Sequence, residues 1–118
     1  MIQDIIDNII VPSFITGFVF TFIGIIMYAA QPTEINGFIG YRTGSSMKSQ
    51  ERWDFAQKYS SKVMMICGVL MIVLSVLGYF VPNDYEDKQL IGIWLLLTSA
   101  VLIIALTEIA IKRRFKNN

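Results

Sequence analysis

The 118-residue chain contains no histidine and a single cysteine, Cys67. An intrachain disulfide is therefore impossible, and zinc sites of the usual Cys/His type are excluded. Catalysis by a tuned imidazole or a Cys–His pair is excluded with them. Charge is scarce as well: ten Lys and Arg against nine Asp and Glu leave a net +1. No basic face large enough to track phosphates can be drawn, so nucleic acid is not an expected partner. What fills the sequence instead is apolar, at 54% of residues, with a positive mean hydropathy. A single domain of this length cannot hide that much apolar surface from water, because too much of its volume lies near the surface. Lipid must be its solvent over much of the chain.

Three apolar runs are long enough to cross a hydrocarbon core, which takes about 20 residues. They extend from about Ile9 to Ala30, from about Val63 to Val81 and from about Leu90 to Ile111. Pro32, Pro82 and the cluster Lys112, Arg113, Arg114 and Lys116 close them in turn. Backbone in lipid must satisfy its own hydrogen bonds, and uninterrupted runs of this length do so only as helices. The expectation is an all-α membrane protein with three transmembrane helices in one membrane domain over residues 1–118. The first run opens on Asp4 and Asp7 rather than on a basic region, so it reads as a retained span and not as a cleaved signal.

Lys and Arg fall on alternate connections. The N-terminal tail has none, and residues 31–62 carry Arg42, Lys48, Arg52, Lys58 and Lys62. Residues 82–89 have Lys88 against Asp84, Glu86 and Asp87, and the C-terminal tail is basic. The positive-inside rule then places the N-terminus outside, with the first connection and the C-terminus in the cytoplasm.

That first connection is long for a link between neighbouring helices, and too apolar for a solvated linker. Its first part, "QPTEINGFIGYRTGSS", carries turn signals at Pro32, Asn36-Gly37, Gly40 and Gly44 and reads as irregular backbone. Its second part, "MKSQERWDFAQKYSSK", lacks Pro and Gly. It reads as an amphipathic helix from about Met47, capped by Ser45 or Ser46, that abuts or enters the second span. On it Trp53, Ala56, Gln57 and Ser60 share a face, and Phe55 meets Tyr59 one turn on. Trp and Tyr there suit the headgroup level, with basic residues facing anionic lipid.

The stretch "IGYRTGSSMKSQERWDFAQKYSSK" resembles the signature of the SdpI family of bacterial multi-span membrane proteins. The resemblance rests on Gly40, Arg42, Thr43, Glu51, Trp53 and Lys62, with Gln57 at the polar position four residues after the tryptophan. It departs at Gly44, where members often have Pro, at Gln57, where they have Asn or His, and at Ser60-Ser61, where a Gly pair often stands. An amide at position 57 can still donate and accept. The resemblance implies a binding protein that confers immunity to a secreted membrane-active peptide, by recognising the peptide or occupying its target. It equally permits a regulatory scaffold whose cytoplasmic connection sequesters a soluble partner such as a repressor.

Candidate site residues follow. Arg42 could bind a carboxylate or phosphate bidentately at the membrane face, or serve as a structural tie. The flanking glycines favour a plug folded back to hold Arg42 against the bundle. Glu108 is the single acidic residue inside a span, where a carboxylate is costly. It could pair with Lys112 one turn on, reach Arg42 or Lys62, or hold a ligand or proton. Trp53 is either an interface anchor or a keystone closing the connection onto the spans. Cys67 reads as inert and buried. Glu51 or Glu108 with Arg42 is the one constellation resembling an enzyme site, and it lacks a proper acid–base pair. No enzyme activity and no cofactor are expected. Gly17, Thr21 and Gly24, then Gly68, Ser75 and Gly78, then Gly92 and Ser99, form small-residue stripes for close helix approach, within one bundle or in a homo-oligomer.

Overall fold

The computed structural model describes residues 1–82 and 84–116, with residues 6–8 described by backbone alone. Among the described residues, four α-helices appear in chain order: α1 (Ile2–Asn8), α2 (Val11–Ala29), α3 (Gln50–Leu77) and α4 (Tyr85–Arg114). A 3-10 turn, Gly78–Phe80, prolongs α3, and there is no strand among the described residues. α2, α3 and α4 are each long and apolar enough to span a bilayer. The expected three-span, all-helical architecture is therefore present.

The boundaries differ from the expected ones, for local reasons. The first span begins at Val11, because the chain breaks at Ile9–Ile10 and Pro12 falls in the first turn of α2, where its missing N–H costs nothing. α3 starts at Gln50, and its N-cap is Ser49, whose Oγ accepts from the Arg52 N–H at 3.2 Å. Neither Ser45 nor Ser46 caps it. Gln50 to Ser61 is thus the first part of the same continuous helix that carries the second span, and the connection shrinks to residues 30–49. α4 is longer than its apolar run at both ends. Asn83, inside the short acidic connection, lies outside the described residues.

The three long helices run up, down and up. Ile10 meets Ser75 and Gly78, Gly17 meets Gly68, and Gly24 meets Ser61 and Met65, so α2 and α3 are antiparallel. A Cβ on Gly17 would lie 2.7 Å from the Gly68 carbonyl oxygen, so the two backbones are in direct contact. The stripes of small residues on α2 and α3 are spent on this contact within one bundle. Ser13 and Ser75 hydrogen bond across it through their hydroxyls.

The bundle is inverted relative to a water-soluble one. Its buried positions include Ser13, Ser60, Ser61, Ser75, Ser99 and Thr107, while Phe18, Phe22, Leu70, Trp94 and Val101 are exposed. Lipid tails are as apolar as leucine, so nothing drives large side chains inward, and close packing of small ones holds the helices together.

Candidate functional site

At the basic end of the bundle, residues 32–46 fold back onto α3 and α4. Trp53 fixes the start of this segment. It is 0% exposed, and its Nε1 donates to the Pro32 carbonyl at 2.9 Å. The structure thus favours the keystone over the interface anchor. One turn further, the buried Gln57 amide pairs with the backbone of Tyr41. Its Oε1 accepts from the Tyr41 N–H at 2.8 Å, and its Nε2 donates to the Tyr41 carbonyl at 2.7 Å. Such a pair mimics one rung of a β-ladder and satisfies both backbone groups of a residue that has no strand neighbour.

Gly40 makes this approach possible. Its φ of +104° lies where side-chain-bearing residues are strained, and a Cβ there would sit 2.5 Å from Gln57 Oε1 and 3.0 Å from Pro32 Cγ. Asn36 shapes the preceding turn. Its Oδ1 accepts from the N–H groups of Phe38 and Ile39 at 2.9 and 2.7 Å, and its Nδ2 donates to the Glu34 carbonyl. Phe38 and Ile39 are left 89% and 65% exposed at its tip.

Glu108 is the hub of the docked segment, through hydroxyls and not through a guanidinium. Its Oε2 accepts from Tyr41 Oη at 2.8 Å and from Thr43 Oγ1 at 3.0 Å, while Oε1 accepts from Ser45 Oγ at 2.9 Å. Ser46, fully buried, closes the turn by linking its Oγ to the Thr43 N–H and the Tyr41 carbonyl. Burial first, and then the hydrogen bond and charge of Glu108, push the Tyr41 phenol well above its ordinary value. It therefore stays protonated and remains a donor.

The expectation that the plug holds Arg42 against the bundle is corrected here. The plug forms, but Arg42 is exposed and donates to the Gly37 carbonyl within its own turn. Consecutive residues of a non-helical segment point to opposite sides, so seating Tyr41 and Thr43 on Glu108 turns Arg42 outward. The buried guanidinium is that of Arg52. It donates to the carbonyls of Ser45 at 3.3 Å and Phe115 at 3.4 Å, with the Phe115 ring 5.5 Å from its carbon. Glu51 is exposed at the edge of a separate cavity that neither Arg42 nor Glu108 lines. Of the expected residues, Gly40, Thr43, Trp53, Gln57 and Glu108 come together, while Arg42 and Glu51 stand apart. Tyr41, Ser45 and Arg52 belong to the site and were not expected; the hydroxyl spacing of "YRTGS" was the available signal.

Beneath Gly40 and Tyr41 lies an apolar groove of about 260 Å³ between the helices, walled by Phe20, Met27, Met64, Ile103 and Ile104. A short helical bundle thus carries a pinned, folded-back connection over an apolar cleft, and this defines a small multi-span membrane protein. The chain belongs to the SdpI/YfhL protein family, whose profile it matches over residues 33–110. That range takes in the docked segment from residue 33 onward, together with Trp53, Gln57 and Glu108. The chain is also similar to the uncharacterized protein YfhL of Bacillus subtilis (strain 168), with 34% identity over 89 residues, or 75% of this chain and 76% of the relative. No solved structure matches it significantly.

Proposed function

We propose that this protein is an immunity-type member of its family, protecting a bacterial membrane against a secreted, membrane-active peptide. The observation that carries the reading is the groove roofed by Gly40 and Tyr41. It is apolar, it lies among three membrane-spanning helices, and its roof is held rigid from two sides, by Gln57 and by Glu108. An apolar segment already in the bilayer loses no hydrophobic stabilisation by moving into such a cleft, and gains packing contacts there. The asymmetry of Lys and Arg supports an orientation with this end in the cytoplasm and the N-terminus outside.

The test is survival. Cells lacking the gene, and cells complemented with it, are challenged with membrane-active peptides secreted by the same organism. Complementation restores growth, and filling the groove with Met64→Trp removes protection at unchanged protein level. Equal survival with and without the gene across the peptides would refute the reading.

A second reading, a scaffold that captures a soluble regulator, is favoured by one separate feature. Phe38 and Ile39 are bare at the tip of an ordered turn, beside the outward Arg42. Pull-down with the intact protein and with Phe38→Ser/Ile39→Ser decides it, since recovery of the same proteins by both removes the idea.

A further inference from the structure

We infer that the protein holds a phosphate-bearing anionic phospholipid, such as phosphatidylglycerol, in a cavity between α3 and α4 lined by Lys58, Lys62 and Arg114. The cavity is about 420 Å³ and is walled by Phe55, Tyr59 and Phe115. It does not include the Gln57, Tyr41 and Glu108 cluster, so the inference is independent of the immunity reading.

Depth is the first argument. The continuous helix Gln50–Phe80 has 31 residues. At about 1.5 Å per residue it is roughly 46 Å long, well beyond a hydrocarbon core of about 30 Å. The apolar part of α3 begins at Val63, so Lys62 and Lys58 occupy the first turn and a half outside the hydrocarbon. Arg114 lies three residues past Ile111, where the apolar run of α4 ends. All three cations therefore fall at the level of the lipid phosphates.

Their surroundings are the second argument. The Lys58 and Lys62 ammonium groups lie 5.8 and 5.7 Å from the centre of the Tyr28 ring, and the Arg114 guanidinium lies 5.2 Å from that of Phe55. Aromatic faces attract these cations without neutralising them. Among the described residues none of the three has a carboxylate at ion-pair distance. Two acids do line the cavity, Asp54 and Glu51, but they lie one to three turns of α3 further from the hydrocarbon than Lys58 and Lys62. A phosphate arriving from the bilayer meets the cations first, while the acids close the far rim. Basic pockets between spanning helices take anionic headgroups in this way, with about 1 kcal/mol from each cation.

The experiment uses the full chain in nanodiscs of phosphatidylcholine alone or mixed with phosphatidylglycerol, read by thermal unfolding and by lipid retention in native mass spectrometry. Phosphatidylglycerol is expected to raise the midpoint and to stay bound. Each single change, Lys58→Gln, Lys62→Gln or Arg114→Gln, weakens retention about fivefold. The charge-preserving pair Lys58→Arg/Lys62→Arg retains the lipid, which separates loss of charge from loss of fold. Equal midpoints in the two nanodiscs, or full retention by the Gln variants, would overturn the inference. So would the same stabilisation from inorganic phosphate or glycerol phosphate added to phosphatidylcholine nanodiscs, since the ligand would then be a free anion.

Discussion

The Gln57 side chain and the Tyr41 backbone, sixteen residues apart, form a reciprocal pair of hydrogen bonds at 2.8 and 2.7 Å. One amide side chain on a spanning helix thereby fixes the depth and register of the connection. It sets which of the following residues face Glu108 and which face away.

Replacing Gln57 by Leu keeps most of the volume and removes both bonds. The N–H of the half-buried Tyr41 would lose its acceptor, while its carbonyl would keep only the bond from Ser46 Oγ, at a cost of about 1–3 kcal/mol. Thermal unfolding in detergent should show a clear fall in midpoint. Gln57→Glu is expected to fail as well, because a second oxygen would face the Tyr41 carbonyl. A midpoint unchanged in both variants would mean that the pair does not hold the connection.

Gly40 and Trp53 support the same clamp from either side. Gly40→Ala forces a strained φ and pushes a methyl into Gln57 Oε1 and Pro32. It should loosen the plug without unfolding the helices, seen as faster maleimide labelling of a cysteine at Thr43 in a Cys67→Ser background. Trp53→Phe keeps an aromatic ring but leaves the Pro32 carbonyl without its donor, a loss of about 1 kcal/mol. Trp53→Ala opens a cavity and should cost about 3–5 kcal/mol.

The spans were legible in the sequence because the bilayer imposes a length and a composition that a single chain displays directly. Trp53, Gln57 and Glu108 could be singled out from the sequence, but whether Trp53 anchors at the headgroups or closes the connection was open in it. The partners were not legible. Lys112, Arg42 and Lys62 all offered themselves as counter-ions of Glu108, yet alternation along an extended segment gives that carboxylate Tyr41 and Thr43. The side on which residue 42 emerges depends on where the chain is pinned, and the pin at Gln57 is a tertiary contact with no local signature. Arg52 was read as part of a charged face for a similar reason. Only the return of α4 brings Phe115 over it.

The two arginines should now separate experimentally. Arg42→Ala removes an exposed side chain bonded within its own turn, and should move the unfolding midpoint by the small amount typical of surface changes, within about 0.5 kcal/mol. Arg52→Ala removes donors from the Ser45 and Phe115 carbonyls and a cation from an aromatic face, and should destabilise clearly. If Arg42→Ala nonetheless abolishes protection in the survival assay, its outward guanidinium contacts the partner. Equal destabilisation by both variants would contradict the placement of Arg42.

Tyr41 supplies a test in pH. Its phenol is raised above 10.0 in the folded protein by burial and by Glu108, whereas in the unfolded chain it ionises near its ordinary value. Below that value both states hold the proton, so the stabilisation is complete and independent of pH. Above it the unfolded chain releases a proton that the folded protein keeps, and stability falls as pH rises. The unfolding midpoint in detergent should therefore show a Tyr41 contribution that is flat through neutral pH and declines above about pH 10. Tyr41→Phe should lower the midpoint at neutral pH by removing the bond to Glu108, and should make the alkaline decline shallower. An identical alkaline decline in the variant would show that Tyr41 titrates normally and that its bond to Glu108 does not survive in solution.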